Sequence, residues 1–488
     1  MPRPSSRATD ETLLTLDPAE RSRFKQAHNF GFNTCHAPIA MRSDVQEQMT
    51  RARQELGMRF WRCHATLGDG VGIVTRTGRG RLEYTFSGLK RILAAGLRCG
   101  VKPFLELSFM PSALARDPGK TITHYRGITS PPKSWKEWGA LIDRLIRFLL
   151  ETYGAAELRQ WYFEVWNEPN IPFWEGTKEE YFQLYRVAAL AIKKADGRLR
   201  VGGPATARAA WVGDLLRFCR TTRTPIDFTS THIYPSDVAF VDAAEGEVKL
   251  LGTDYLRDAF RAVRREVDAH DRRLPIFWGE WNSSAGPLAE NHDTCNNAAL
   301  ICSALAGIEE FADGSLYWNL SDIYEECRYH FAPFHGGYGL YTVDGVAKSS
   351  ARAFELWQGL RGDRIAVRGL PETASRGAFA TQDGEGGALG MVLWNHAEPG
   401  RRQAPWKVAL QLDGPRPTTV TLDSVRPGHG SAYEIWVALG RPLNLNPGAR
   451  RRLEAASRMG RRMLAVDGTG RVRLSLAPGE AVRIAVAR

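Results

Sequence analysis

None of the seven cysteines, at positions 35, 63, 99, 219, 295, 302 and 327, stands in a CxxC spacing. That leaves no thiolate metal motif, and an odd, scattered set makes no disulfide framework. A reducing, cytoplasmic setting is therefore expected. Long apolar runs are also missing. The longest, around Ala298 to Ile308, falls far short of the roughly 20 residues a membrane span needs, so no membrane partner is expected. The opening stretch MPRPSSRATDETLLTLDPAERSRF has no apolar segment of the kind a secretory signal carries. HExxH and its relatives are absent, and Gly336-Gly337 lacks phosphate-loop spacing. Neither a metal nor another cofactor is expected. Acidic residues are outnumbered, giving a net charge of +11. The excess is mostly Arg spread along the chain, with one cluster at Arg450, Arg451, Arg452, Arg458, Arg461 and Arg462. No helix-turn-helix, finger or RNP-like motif accompanies it. A solvated surface is the favoured reading of that cluster, an acidic partner the other, and nucleic acid is not expected.

What the chain does have is length and aromatic residues. Its 488 residues allow a large core plus a further domain, and 14 tryptophans suit an aromatic interior or cleft. Apolar, strand-like stretches run over Asn29–Cys35, Met58–Thr66, Val101–Phe109, Gln160–Asn167, Leu199–Ala205, Asp227–Tyr234, Pro275–Trp281 and Ser315–Leu320. Helical patterns lie between them at Asp44–Leu56, Phe86–Ala95, Ser134–Thr152, Lys178–Lys194, Trp211–Arg220, Tyr255–Ala269, Asp293–Glu310 and Ser349–Leu360. A strand followed by a helix, eight times over, predicts an α/β fold, the (β/α)8 TIM barrel. After Leu360 short strand-like runs such as Ala388–Trp394, Trp406–Leu412 and Val472–Leu476 alternate with Gly, Pro and Asp-Gly turns. That texture predicts a C-terminal β-sandwich packed against the barrel. The expected division is an N-terminal arm at 1–27, loose or lending an edge to another domain, then the barrel at 28–362 and the sandwich at 363–488.

Chemistry gathers where a barrel puts its pocket, at the C-terminal ends of the strands. The run Trp161–Asn170, WYFEVWNEPN, is an apolar strand that breaks at Pro169. Glu168 is expected at its tip, in extended geometry, because the residue before a proline is pushed from the helical region. A carboxyl among apolar neighbours favours its protonated form, which suits a general acid. Leu274–Asn282, LPIFWGEWN, repeats the design with Glu280. Two such glutamates are the minimum equipment for cleaving a glycosidic bond. Glu168 is assigned the proton and Glu280 the attack, with Asn167 as donor to the sugar 2-hydroxyl. His64, His232 and Tyr234 also stand at strand ends, as do Trp318, a stacking surface for a sugar ring, and Glu325 and Glu326 just beyond. Taken singly, each has a plainer reading as a core histidine, core tryptophan, loop acid or salt-bridge partner.

Several phrases then coincide. WNEPN, DFTSTHIYP at 227–235, GEWNSS at 279–284, YWNLSDIYEE at 317–326 and FHGGYGL at 334–340 together resemble glycoside hydrolase family 39, and within it the bacterial β-xylosidases. SFMPSALA at 108–115, PPKSWKEW at 131–138 and HDTCNNAAL at 292–300 are similar to the same enzymes. The resemblance covers about residues 28 to 360. It implies a barrel with a β-sandwich beside it and a metal-free, retaining double displacement. It places the acid/base on Glu168, the nucleophile on Glu280, and sugar contacts on His64, Asn167, His232, Tyr234, Trp318, Glu325 and Glu326. Where the β-xylosidases carry an aromatic residue soon after the nucleophile, this chain has Ala285 or Gly286, which would widen the basin. HIYP points to the xylosidase branch rather than to α-L-iduronidase.

The expected function is thus an exo-acting β-xylosidase acting on short xylo-oligosaccharides. One alternative keeps the chemistry and changes the sugar to a β-glucoside, β-galactoside or α-L-arabinopyranoside. The other is a non-catalytic barrel binding carbohydrate or a polyanion. The expected partner is a small oligosaccharide or glycoside, and a homo-oligomer is compatible with the sequence.

Overall fold

The computed structural model describes residues 11–236, 251–324, 326, 330, 332–412 and 417–486. Eight parallel strands close into a barrel: Gly31–His36, Phe60–His64, Lys102–Glu106, Tyr162–Glu164, Arg200–Thr206, Phe228–Ile233, Ile276–Trp281 and Gly314–Tyr317. They are called here the first to eighth barrel strands. Each falls on an expected stretch, with bounds that differ by up to three residues, and the expected helices follow them.

Local chemistry sets those helices. In Trp135–Tyr153 the Ser134 hydroxyl accepts the Glu137 N–H at 3.3 Å, capping the first turn. Trp138, Leu141, Ile142, Leu145, Ile146 and Leu149 fall on one face at helical spacing and are fully buried. Gly154, at φ +80°, ends the helix in a conformation that disfavours a Cβ. Lys178–Ala195 opens with a reciprocal capping box between Thr177 and Glu180.

Inside the barrel, side chains stack in layers because alternate residues of a strand share a face. The floor is aromatic. Phe30, Phe60, Phe104, Tyr162, Phe228 and Phe277, with Leu316, make one cluster, and the Phe30 and Phe60 rings lie 4.5 Å apart. Burying each such side chain contributes about 1.5–3 kcal/mol. This plug closes the N-terminal end and leaves the polar layers above it facing the opposite mouth.

Of the expected arm at 1–27, residues 1–10 lie outside the described residues, and the part from Glu11 is no loose arm, nor does it lie at an edge. Glu11–Ser22 is an interior strand of the second domain, antiparallel to Asp363–Arg368 and parallel to Trp406–Gln411. Leu14 is wholly buried there, and the backbone N–H groups of Lys25 and Ala27 are held by Glu309 of the barrel. The second domain is a ten-stranded mixed sheet folded over its own core of Leu14, Met391, Leu393, Val408, Leu410 and Ile484, among others. Phe379, Val392, Trp394, Val425 and Ala481 of the same sheet join the barrel's core, so the two parts pack together. Arg450, Arg451 and Arg452 sit on the helix Pro447–Ala456, and Arg461 and Arg462 on the strand Gly460–Ala465. Arg450 pairs with Glu454 and Arg461 with Asp423, which takes two members of the cluster into local ion pairs. Among the described residues no helix is long and apolar enough to cross a membrane.

Candidate active site

On the second strand, Phe60, Arg62 and His64 point into the barrel in turn, from floor to mouth. Arg62 is fully buried and meets five acceptors. Its Nε pairs with Glu164 at 2.6 Å; Nη1 meets Glu280 at 2.7 Å and Asn33 at 3.2 Å; Nη2 meets Glu106 at 2.7 Å and Asn167 at 2.9 Å. A guanidinium has five N–H donors, so the number of partners fits the group. Burial lowers its pKa, but Glu106, Glu164 and Glu280 raise it above the ordinary arginine value. Arg62 is the hub of the site.

His64 sits one layer higher, with Nδ1 2.8 Å from Glu106 and Nε2 3.4 Å from Glu280. Burial lowers its pKa, yet the charge and hydrogen bond of Glu106, with Glu280 behind, lift it to about 9. His64 is therefore an imidazolium near neutral pH, and its Nδ1 donates to Glu106. Burial raises the pKa of Glu106, but Arg62 and His64 outweigh that and hold it below the ordinary carboxylate value.

Glu280 reaches the pocket through an irregularity in the seventh strand. The pairing with the sixth strand skips Gly279: Thr231 faces Trp278, then His232 faces Glu280. Such a bulge re-aims a side chain. A Cβ on Gly279 would come within 3.0 Å of His232 Nε2 and 3.3 Å of Glu164 Oε1, so that position has to be glycine or nearly so. Glu280 Oε1 is held by Arg62, and Oε2 accepts the Tyr234 hydroxyl at 3.1 Å.

Glu168 departs from expectation in its backbone. The fourth strand ends at Glu164, and Glu168 lies four residues beyond it at φ +44°, left-handed rather than extended. Tertiary pairing overrides the local preference. The Glu168 N–H donates to the Ala205 carbonyl at 2.8 Å, and the Asn170 amide bonds Ala207 in both directions. A non-glycine residue held this way costs about 1–3 kcal/mol, a strain that recurs at functional sites. Its carboxyl lies 3.0 Å from His232 Nδ1. Burial raises the Glu168 pKa to about 7; the His64 and Arg62 charges oppose this, while Glu326 and Glu106 add to it. His232 goes the other way, to about 4, chiefly through burial, and is neutral.

The structure gathers almost every candidate. Glu168, Glu280, His64, Asn167, His232 and Tyr234 form one side-chain cluster at the strand ends. Asn167 Oδ1 accepts from Arg62, and its Nδ2 has no partner among the described residues. Trp318 is 3% exposed, with its ring 4.9 Å from that of His64 and edge-on to Tyr324 and Tyr338. Glu326 stands 3.9 Å from His64 Nε2. Glu325 lies outside the described residues. Sequence reasoning missed Arg62, Glu106, Glu164 and Asn33. A usable signal existed: each ionisable one interrupts an apolar strand, and a buried charge requires a partner.

A second buried cluster braces the rim. Lys348 pairs with Asp293 and, at 3.1 Å, with Asp322, and donates to the Gly337 carbonyl at 2.7 Å. Asp293 and Asp322 take the N–H groups of Gly336 and Gly339. The loop 334–340 is thereby fixed, and its Tyr338 hydroxyl donates to Ala285 O at 2.6 Å.

Chemically, the pocket offers a buried carboxyl that keeps its proton to about pH 7 and a carboxylate fixed by Arg62 and Tyr234. Single donor atoms of Glu168, His232 and Glu280 all lie within 4.8 Å of one another. Geometrically that trio could hold a cation. Arg62 and protonated His64 already supply positive charge beside Glu280, which disfavours a further cation there.

Residues 13–472 match the family described as Glycosyl hydrolases family 39. A β-xylosidase of Caldicellulosiruptor saccharolyticus is 39% identical over 417 residues, covering 85% of this chain and 84% of that one. A β-xylosidase of Geobacillus stearothermophilus is 32% identical over 434 residues, covering 86% and 84%. The crystal structure of a monomeric β-xylosidase from Caulobacter crescentus CB15 superposes with a TM-score of 0.86 at 29% identity, covering 98% of this chain and 99% of that one.

Proposed function

The chain belongs to glycosyl hydrolase family 39 and is a glycoside hydrolase, and from that premise we propose that it is an exo-acting, retaining β-xylosidase of short xylo-oligosaccharides. One observation carries the mechanism: an oxygen of Glu168 lies within 4.8 Å of an oxygen of Glu280. Retaining glycosidases hold their carboxyl groups about 5–5.5 Å apart, whereas inverting ones leave about 6.5–9.5 Å for a water.

In this reading Glu280 attacks the anomeric carbon while Glu168 protonates the departing oxygen. The C–O bond to the aglycone breaks, and a bond from Glu280 to the sugar forms. Glu168, now a carboxylate, takes a proton from water as that water displaces Glu280. Arg62 and Tyr234 hold Glu280 in place, which limits the reorganisation needed at the transition state. The Asn167 amide serves the 2-hydroxyl. The identities of the C. saccharolyticus and G. stearothermophilus β-xylosidases favour xylose as the glycone. Tyr338, bonded to Ala285, sets an aromatic ring beside the place where the sequence lacks one.

A panel of 4-nitrophenyl glycosides tests the glycone. The β-xyloside is expected to give the highest kcat/KM among the β-xyloside, β-glucoside, β-galactoside and α-L-arabinopyranoside. Proton NMR of the first-formed sugar should show the β anomer. An α anomer first would rule out double displacement, and a better β-glucoside would remove xylose.

The pH profile follows from Glu168. The acid must be protonated to work, and burial sets its pKa at about 7 against a usual 4.5. For the free enzyme, kcat/KM is therefore expected to hold up to about pH 7 and to fall about tenfold per unit above it. In Glu168→Gln, assayed with an activated nitrophenyl leaving group that needs little protonation, that limb should disappear. Its persistence would assign the titration to another residue.

A further inference from the structure

The segment after the third barrel strand carries a short hairpin, Thr121–Ile122 paired with Gly127–Ile128. Its tip grips Glu326. The His124 N–H donates to the Glu326 carbonyl at 3.0 Å, and the Tyr125 hydroxyl reaches Oε1 at 3.4 Å. Tyr324 holds the other carboxylate oxygen. Glu326 stands 3.9 Å from His64 Nε2, which is 3.4 Å from Glu280. Glu326 and His64 thus link Tyr125 to the attacking carboxylate.

On the other side of Tyr125 opens a cavity of about 500 Å³, lined by His36, Asp69, Ser112, Thr121, Tyr125 and Arg126 among others. Pockets for small organic ligands run from about 300 to 1,000 Å³. Its lining reaches toward the site through Tyr125, through Ala65, next to His64, and through His36, which pairs with His64 in the strand register. Tyr125 lies flat on His36, with ring centroids 4.9 Å apart and planes within 2°. The partition is therefore a stacked pair of rings pinned to Glu326. Behind it are hydroxyl, carboxylate and guanidinium groups, the set that hydrogen-bonds a sugar.

We propose that Tyr125 determines how many sugars the enzyme removes at a time, acting as the wall that stops the pocket after a single ring. Shortening Tyr125 frees Glu326 Oε1 of its bond and thins the partition, so that Glu326 can swing toward the cavity and a second xylose ring of the glycone can pass into it. The proposal rests on the β-xylosidase reading above. Tyr125 is a specificity residue here and takes no part in bond cleavage.

The test uses the full chain with 4-nitrophenyl β-xylobioside and follows products by chromatography. The wild-type protein should remove xylose from the non-reducing end, leaving nitrophenyl xyloside. Tyr125→Ala should release intact xylobiose with nitrophenol, raising the xylobiose-to-xylose ratio at least about tenfold, the scale of a pocket change that admits one more group. Tyr125→Phe keeps the ring and should keep the xylose-only pattern. A Cβ on Gly70 would meet only Pro38 Cγ, at 3.9 Å, so Gly70→Phe can be built into the cavity. Added to Tyr125→Ala, it should suppress xylobiose release. Tyr125→Leu, shorter but still apolar, is made alongside. Xylose as the sole product from active Tyr125→Ala and Tyr125→Leu proteins would overturn the proposal, as would loss of all turnover in both. Xylobiose release that Gly70→Phe leaves intact would do the same. A wild-type protein that ignores xylosides but cleaves another glycoside would sink the glycone assignment instead, and the matching disaccharide would then test the wall.

Discussion

Glu280→Gln is expected to lower kcat on 4-nitrophenyl β-xyloside by roughly 10⁴–10⁶-fold, the scale of losing a covalent nucleophile. Gln keeps the size of Glu280 but has no anion to attack the anomeric carbon. The fold should tolerate the change, because Arg62 keeps Glu106 and Glu164 at 2.7 and 2.6 Å. Tyr234 can still donate to the amide oxygen. Loss of turnover with an unshifted denaturation midpoint therefore isolates the chemical role. The same variant separates hydrolase from binding protein, since a binding protein keeps its function without this charge. Turnover within tenfold of wild type would remove Glu280 from the mechanism.

Much of this site was legible because barrel strands are apolar runs set between amphipathic helices. Interruptions in such runs stand out: Pro169 after Glu168, and Gly279 before Glu280. The assembly beneath them was not legible. Arg62, Glu106, Glu164 and Asn33 sit on four different strands, and only closure of the barrel brings them together. Alone, each ionisable one gives no sign of its partner, and Asn33 reads as an ordinary strand amide. Alternation along Phe60, Arg62 and His64 would have put Arg62 beside a residue already suspected, had the period been applied inside a strand with so few polar positions. The strand Glu11–Ser22 was missed for another reason. It contains Pro18 and its register shifts between Asp17 and Arg21, so it lacks a clean alternating pattern. The backbone of Glu168 was misread because its N–H is taken by Ala205 in the fifth strand, and Asn170 by Ala207 just beyond that strand, partners that no local rule contains.

Arg62→Met should be the most damaging single change to the fold. Removing one partner of a buried ion pair costs about 3–5 kcal/mol, because the other charge is left uncompensated. Here three carboxylates share the lost partner, and the whole folding free energy of a domain is only about 5–15 kcal/mol. Lysine is no substitute, since three N–H donors on a flexible stem cannot meet five acceptors arranged around a plane. The pH dependence is the sharper test. In the wild-type protein the folded pKa of Glu106 is depressed: burial alone would raise it, but Arg62 and His64 overcome that. A depressed carboxylate adds stability above its unfolded pKa that is lost as pH falls through the folded one. Without Arg62 burial is less opposed, so the Glu106 carboxyl moves upward, and Glu164 loses its only ion-pair partner among the described residues. Carboxyls whose folded pKa rises above the unfolded value lend stability at low pH and lose it as pH climbs. Urea denaturation should therefore show Arg62→Met closer to wild type at pH 5 than at pH 8. A penalty independent of pH would mean that Arg62 acts by packing rather than by charge. Adding Glu164→Gln to Arg62→Met then recovers part of the loss at pH 8 if the charge account holds, and none of it if packing is the cause.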